Sequence, residues 1–174
     1  MDITSVVAQI ASAFPERPLP TMTLRQGQLG DQTMTREISE DEWRREGERD
    51  RGVVWTQIDE STLRECDSAL CFLDEEGFLY YLPAYLCAAL RNIAAGRGDS
   101  SYLVNGAVFH VTNTRDNHAL ARLKRLSDCQ IDAVVNFLRV VREQCRYEAK
   151  DAGEALLRYW ETPESRRRTL IYVP

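Results

Sequence analysis

Two histidines, His110 and His118, and five cysteines, Cys66, Cys71, Cys87, Cys129 and Cys145, are the residues of this 174-residue chain best suited to acid–base, nucleophilic or metal chemistry. The histidines stand eight apart with Asp116 near the second. Residue types alone therefore permit a Cys–His–Asp nucleophilic site, provided the fold supplies three proximities that the spacing does not. No Cys-x-x-Cys pair occurs, and an odd count leaves at least one thiol unpaired. Cys71, Cys87, Cys129 and Cys145 sit among apolar neighbours, which fits reduced thiols inside a cytosolic core. The phosphate loop Gly-x-x-x-x-Gly-Lys, the nucleophile elbow Gly-x-Ser-x-Gly, the zinc motif His-Glu-x-x-His and the EF-hand loop are absent. The sequence thus predicts no metal, no cofactor and no catalytic residue. The alternative is an enzyme that uses His110 or His118 with an acid or a cysteine.

Carboxylates form the second candidate chemistry. Residues 37–76 hold fourteen acids against five arginines, net −9, whereas the whole chain is −5, so the other 134 residues are net positive. Such asymmetry steers a basic partner at long range. The clusters that stand out are Glu40, Asp41, Glu42 and Glu46, then Asp59 and Glu60, then Asp74, Glu75 and Glu76. Adjacent acids at helix starts also serve capping and the macrodipole, and Glu–Arg spacings such as Glu40–Arg44 stabilise a solvated helix. Arg166-Arg167-Arg168 is a compact basic cluster, but a pI near 5.2 argues against a dedicated nucleic-acid binder.

The elements that must position these residues read as mainly helical with a small β ribbon, an α+β class, in one domain over 1–174. Ile3, Val6, Val7, Ile10 and Phe14 fall at helical spacing before Pro15. Residues 15–38 read as a long loop with one short strand near Met22 to Leu24. Ser39-x-x-Glu42 forms a capping box for a charged helix over 40–50 anchored by Trp43. Val53 to Trp55 reads as extended, Ser61 as the cap of the next helix, and Asp74 to Glu76 as the start of a long one. Pro83 predicts a kink there or two helices end to end. Asn105-Gly106, between Leu103-Val104 and Ala107-Val108, predicts a hairpin turn. Ser127-x-x-Gln130 caps a helix over 128–148, a last helix spans 151–161, and Thr169 to Val173 reads as a strand. The longest apolar run, Phe78 to Leu90, is roughly 20 Å as a helix, too short to span a bilayer, and no signal peptide is evident, so a cytoplasmic location is expected.

Within that run, Phe78, Tyr81, Leu82, Tyr85 and Leu86 share one helical face and Tyr80 points away. The block from Ala69 through Phe78, Tyr80, Tyr81, Leu82, Pro83, Ala84 and Tyr85 to Leu86 resembles a family of uncharacterised bacterial proteins marked by a Tyr-Tyr-Leu-Pro-Ala core. An upstream tryptophan, here Trp55, and the phrase Leu126-Ser127-x-x-Gln130-x-x-Ala133-x-x-x-Phe137-Leu138 accompany it, so the resemblance spans about 53–140. Asp74 to Gly77 and Leu79 depart from the pattern, where Pro-Glu-Ala and Arg are usual. The resemblance implies kinship without an activity, and the shared helical face assigns the signature residues a structural role. The function expected is a non-enzymatic protein-binding module, an immunity-type inhibitor by analogy, which docks its acidic surface on a basic toxin or partner protein. Nucleic acid is not an expected partner, no membrane span is expected, and the oligomeric state stays open. A scaffold that assembles through Trp43 and Trp160 is the third alternative.

Overall fold

Every regular element among residues 2–166, the part of the chain that the computed structural model describes, is helical. In chain order these are α1 (Ile3–Ala13), α2 (Leu24–Gln32), α3 (Glu40–Arg49), α4 (Glu60–Glu65), α5 (Ala69–Phe72), α6 (Glu75–Ala94), α7 (Tyr102–Thr112), α8 (Asn117–Leu123), α9 (Asp128–Gln144) and α10 (Ala149–Ala155). Short 3-10 turns lie at Trp55–Gln57, Gly98–Ser100 and Pro163–Arg166, and a π-helical turn at Leu156–Trp160.

Side-chain caps explain most of the starts. Thr23 and Ser127 make full capping boxes with Gln26 and Gln130. Asp2, Ser39, Asp59, Asp74 and Asp116 each accept a backbone N–H three residues on. The Ser39 box is only half made, because the Glu42 carboxylate turns to Arg36 instead of back to the cap. Asp59, not Ser61, caps α4.

The organising element is α6. Of its 20 residues 14 are buried, as expected for a helix that is apolar on all sides and must be wrapped by others. It packs against α1, α5, α7, α8 and α9. The stripe Ile131, Val134, Val135, Leu138 and Val141 of α9 is buried in the same core. Pro83 sits in the middle of α6 without dividing it: the helix is one continuous element. Packing around this buried residue offsets the lost hydrogen bond, a cost of about 3 kcal/mol in an exposed helix.

The expected β ribbon is absent: Leu103 to Val108 lies inside α7, and no described residue is in a strand. A two-residue hairpin at Asn105-Gly106 needs positive φ at both residues, whereas only Gly52 and Gly96 adopt positive φ among the described residues. What prevails is burial at helical spacing of Leu103, Val104, Ala107, Val108 and Val111 against α6. The loop expected over 15–38 contains α2, and no strand forms at Met22 to Leu24. Gly27 and Gly30 are close-packing positions, not breakers: a Cβ on Gly30 would meet the Cβ of Phe72 at 2.5 Å, so their bare backbone lets α2 lie directly on α5.

Cys71 and Cys129 are exposed where core positions were expected, while Cys66, Cys87 and Cys145 are buried. Trp160 is 1% exposed, which removes it from any assembly surface. The strand expected at Thr169 to Val173 lies outside the described residues.

Candidate partner-binding site

Helix α3 carries the first acidic cluster and buries none of its residues. Polar contacts with α2 hold it in place. Gln26 Nε2 donates to the Trp43 carbonyl at 3.1 Å, under Gly47, whose missing side chain makes room for the amide. Arg25 donates its backbone N–H to Asp50 Oδ2 at 2.8 Å, and its Nε lies 3.3 Å from Oδ1. Burial pushes the Asp50 carboxyl up against the opposing pull of Arg25.

Trp43, half-buried, stands between two clefts. One, of about 570 Å³, is lined by Thr33, Arg36, Glu37, Ile38 and Glu40. The other, of about 410 Å³, takes its walls from Thr23, Gln26, Glu48, Asp50 and the signature residue Tyr81. On the far side of Leu19 and Pro20 a third cleft, of about 290 Å³, is bounded by Phe14, Arg17, Glu76, Leu79 and Tyr80. The adjacent tyrosines of the signature thus face two clefts divided by the segment around Leu19, their rings 5.0 Å apart and edge to face.

Most of the acids are already matched. Asp41 pairs with Arg44, Glu46 with Arg49 at 2.7 Å, and Glu48 with Arg51. Glu42 lies 2.5 Å from Arg36, and that hydrogen bond holds its carboxyl below the usual range. Glu37 and Glu40 have no cation within ion-pairing distance among the described residues. These two carboxylates, on the rim of the larger cleft beside Trp43, are the uncompensated negative charge of α3 and the segment leading into it.

The remaining acidic clusters are elsewhere. Asp59 caps α4, its carboxyl lowered by the Thr62 N–H, and Glu60 binds Arg64 at 2.7 Å and Asn92 at 3.1 Å. Asn92 is in the last turns of α6, whereas Asp74 caps its start through Gly77 N–H at 2.7 Å and Glu75 pairs with Arg125. At 1.5 Å per residue these two clusters lie roughly 25 Å apart along α6. The structure therefore does not bring all nine acids onto one patch.

The signature residues Phe78, Tyr81, Leu82, Pro83, Ala84 and Tyr85 are buried, and Tyr80 is half-buried. Tyr80 donates its hydroxyl to the Glu16 carbonyl at 2.9 Å. The Tyr85 hydroxyl donates to the buried Cys66 carbonyl, and burial raises the phenol far above its usual range. Tyr85→Phe is expected to cost about 1–3 kcal/mol in denaturant unfolding, because the Cys66 carbonyl is left without its donor. A loss below a few tenths of a kcal/mol would mean that water replaces it.

The histidines are not assembled with an acid and a thiol. His110 is buried between the rings of Phe78 and Phe109, while His118 is exposed and Asp116 caps α8 through Ala119 N–H at 2.8 Å. The thiols of Cys66 and Cys87 are pushed up by burial to about 12 and about 11, away from thiolate character.

A family model described as a family of unknown function matches residues 2–164. The chain belongs to DUF6714. The match reaches well beyond the 53–140 segment that carries the Tyr-Tyr-Leu-Pro-Ala resemblance, so α1, α2, α3 and α10 are part of the family's domain as well. No curated protein and no solved structure is significantly similar to it. No helix among the described residues is long and apolar enough to cross a membrane.

The sequence signals missed at this site were local. Thr23-x-x-Gln26 is a capping box for α2 of the same kind as Ser127-x-x-Gln130. Tyr81 lies on the apolar helical face, and its place in a cleft wall depends on where the Leu19–Thr23 segment crosses α6.

Proposed function

We propose that the protein is a non-enzymatic binding module that receives a basic protein surface on α3 and its two flanking clefts. The observation that supports this most is that α3 buries no residue, yet polar contacts hold it in one pose with Trp43 between the clefts. A helix outside the core does little for stability, but a pre-organised aromatic beside carboxylates suits an interface anchor. Glu37 and Glu40 supply the charge that attracts the partner, and the Trp43 ring supplies a face for an arginine or lysine side chain. An immunity-type inhibitor, seated over the basic cleft of a toxin, is the specific form of this reading.

The test is capture from the native cell with wild-type protein as bait, followed by binding kinetics on the purified partner. Glu37→Lys with Glu40→Lys is expected to slow association at least tenfold at low salt and to blunt its salt dependence. Trp43→Ala is expected to weaken binding by roughly 2 kcal/mol, mainly through faster dissociation. Unchanged kinetics in both variants would rule out α3 as the contact surface. A captured toxin whose activity is not blocked would remove the inhibitor form.

A further inference from the structure

We propose that Asp99, Cys145 and Glu148 form a binding site for a divalent metal ion of the zinc class. The three residues come from two connections, α6–α7 and α9–α10, that meet in space. Asp99 lies in the Gly98–Ser100 turn that joins α6 to α7, Cys145 is the C-cap of α9, and Glu148 immediately precedes α10. One ligand atom of each, the cysteine sulfur and two carboxylate oxygens, lies within 4.8 Å of the other two. Around a tetrahedral zinc, with Zn–S of about 2.3 Å and Zn–O of about 2.0–2.2 Å, such atoms are roughly 3.2–3.7 Å apart. Small side-chain rotations close the difference.

Further observations point to a ligand there. Glu148 Oε2 is fully buried and accepts no hydrogen bond, an arrangement that a native protein rarely leaves without a cation or a donor. Cys145 is 7% exposed, and its sulfur has no hydrogen-bond partner among the described residues. Gly98 opens the space beside it, since a Cβ there would stand 3.2 Å from the sulfur. No lysine or arginine of the described residues forms an ion pair with Asp99 or Glu148. Asp99 Oδ1 accepts the Arg146 N–H at 2.6 Å, which fixes the carboxylate and leaves its second oxygen available.

Binding replaces the thiol proton, released to solvent, with a metal–sulfur bond. The ion's two positive charges meet one thiolate and two carboxylates, and a water completes four-coordination. A soft sulfur with two oxygens suits zinc, and cobalt(II) is its spectroscopic substitute. The site is independent of α3, and its spacing, 46 residues and then 3, matches no linear metal motif.

The experiment is titration of the chelator-stripped, reduced full chain with Co²⁺. A thiolate-to-cobalt absorption band saturating at one equivalent is expected, bleached by equimolar Zn²⁺. It should vanish in Cys145→Ser and persist in Cys71→Ser and Cys129→Ser, whose thiols are exposed. Glu148→Gln and Asp99→Asn, which carry the test if Cys145→Ser folds poorly, should each weaken Co²⁺ binding about tenfold or more. Zn²⁺ should raise the unfolding midpoint of the wild type but not of Glu148→Gln at the same metal concentration. Absence of the band at one equivalent, its survival in Cys145→Ser, or an affinity unchanged in both carboxylate variants would overturn the site.

Discussion

Trp160→Ala is expected to lower stability by about 3–5 kcal/mol. Trp160 is 1% exposed and is the largest fully buried side chain. It stacks edge to face on Tyr159 at 5.1 Å in the π-helical turn that follows α10. Its indole Nε1 donates to the Val111 carbonyl at 2.7 Å. Val111 is in the last turn of α7, where carbonyls have no partner within their own helix, so the indole completes the C-terminal end of α7 from another element. The alanine variant therefore loses packed apolar volume and strands a buried acceptor together. Trp160→Phe separates the two: it keeps most of the volume and should cost about 1–3 kcal/mol, chiefly the unpaired carbonyl. Denaturant unfolding at constant m-value would measure both. Equal losses in the two variants would show that the hydrogen bond alone matters, and a loss under 1 kcal/mol in both would refute the packing assignment.

Acidification is expected to remove about 3 kcal/mol of stability through His110 alone. Burial, reinforced by the nearby Arg122 guanidinium, lowers its imidazole from an ordinary 6.5 to about 4. The unfolded chain takes up a proton near pH 6.5 that the folded chain refuses until about pH 4. In that window the unfolded state holds more protons, and stability falls as the pH falls. The contribution is complete above about pH 6.5 and lost by about pH 4, at 1.36 kcal/mol per unit. Arg122 itself lies over the Phe78 ring at 4.1 Å and donates to the Leu70 carbonyl at 2.9 Å, so the charge that opposes protonation is fixed in place. His110→Asn cannot titrate, and its stability difference between pH 7 and pH 4 should be smaller than wild type by about 3 kcal/mol. Identical differences in the two proteins would exclude His110 as the acid-sensitive group.

Much of the helical framework was legible without coordinates, because the signals were local. The Ser127 box and the stripe from Ile131 to Val141 specify α9 within one stretch of chain, as Asp74 and the apolar run after it specify α6. The same rules, applied only to what is local, misread α7 and α2. Asn-Gly in solution favours a tight turn, yet Leu103, Val104, Ala107, Val108 and Val111 gain more by burial on α6 as a helix. Gly27 and Gly30 look like breakers until α5 arrives against them, when the absence of a Cβ becomes the condition for contact.

The candidate sites divide in the same way. Residue types, the acidic surplus of 37–76, the capping acids and the Tyr-Tyr-Leu-Pro-Ala signature were determined by sequence alone. Asp41–Arg44, Glu46–Arg49, Glu48–Arg51 and Glu60–Arg64 pair within one turn of helix, whereas Arg36 reaches Glu42, Arg125 reaches Glu75 and the Asn92 amide reaches Glu60 only after the chain folds back. The same holds for the clefts beside Trp43 and for the meeting of Asp99 with Cys145 and Glu148. Capping and periodicity act over a single turn of helix and are written in consecutive residues. Long-range ion pairs, clefts and ligand sets depend on distances between segments far apart in the chain, which only the packing of the helices around α6 sets.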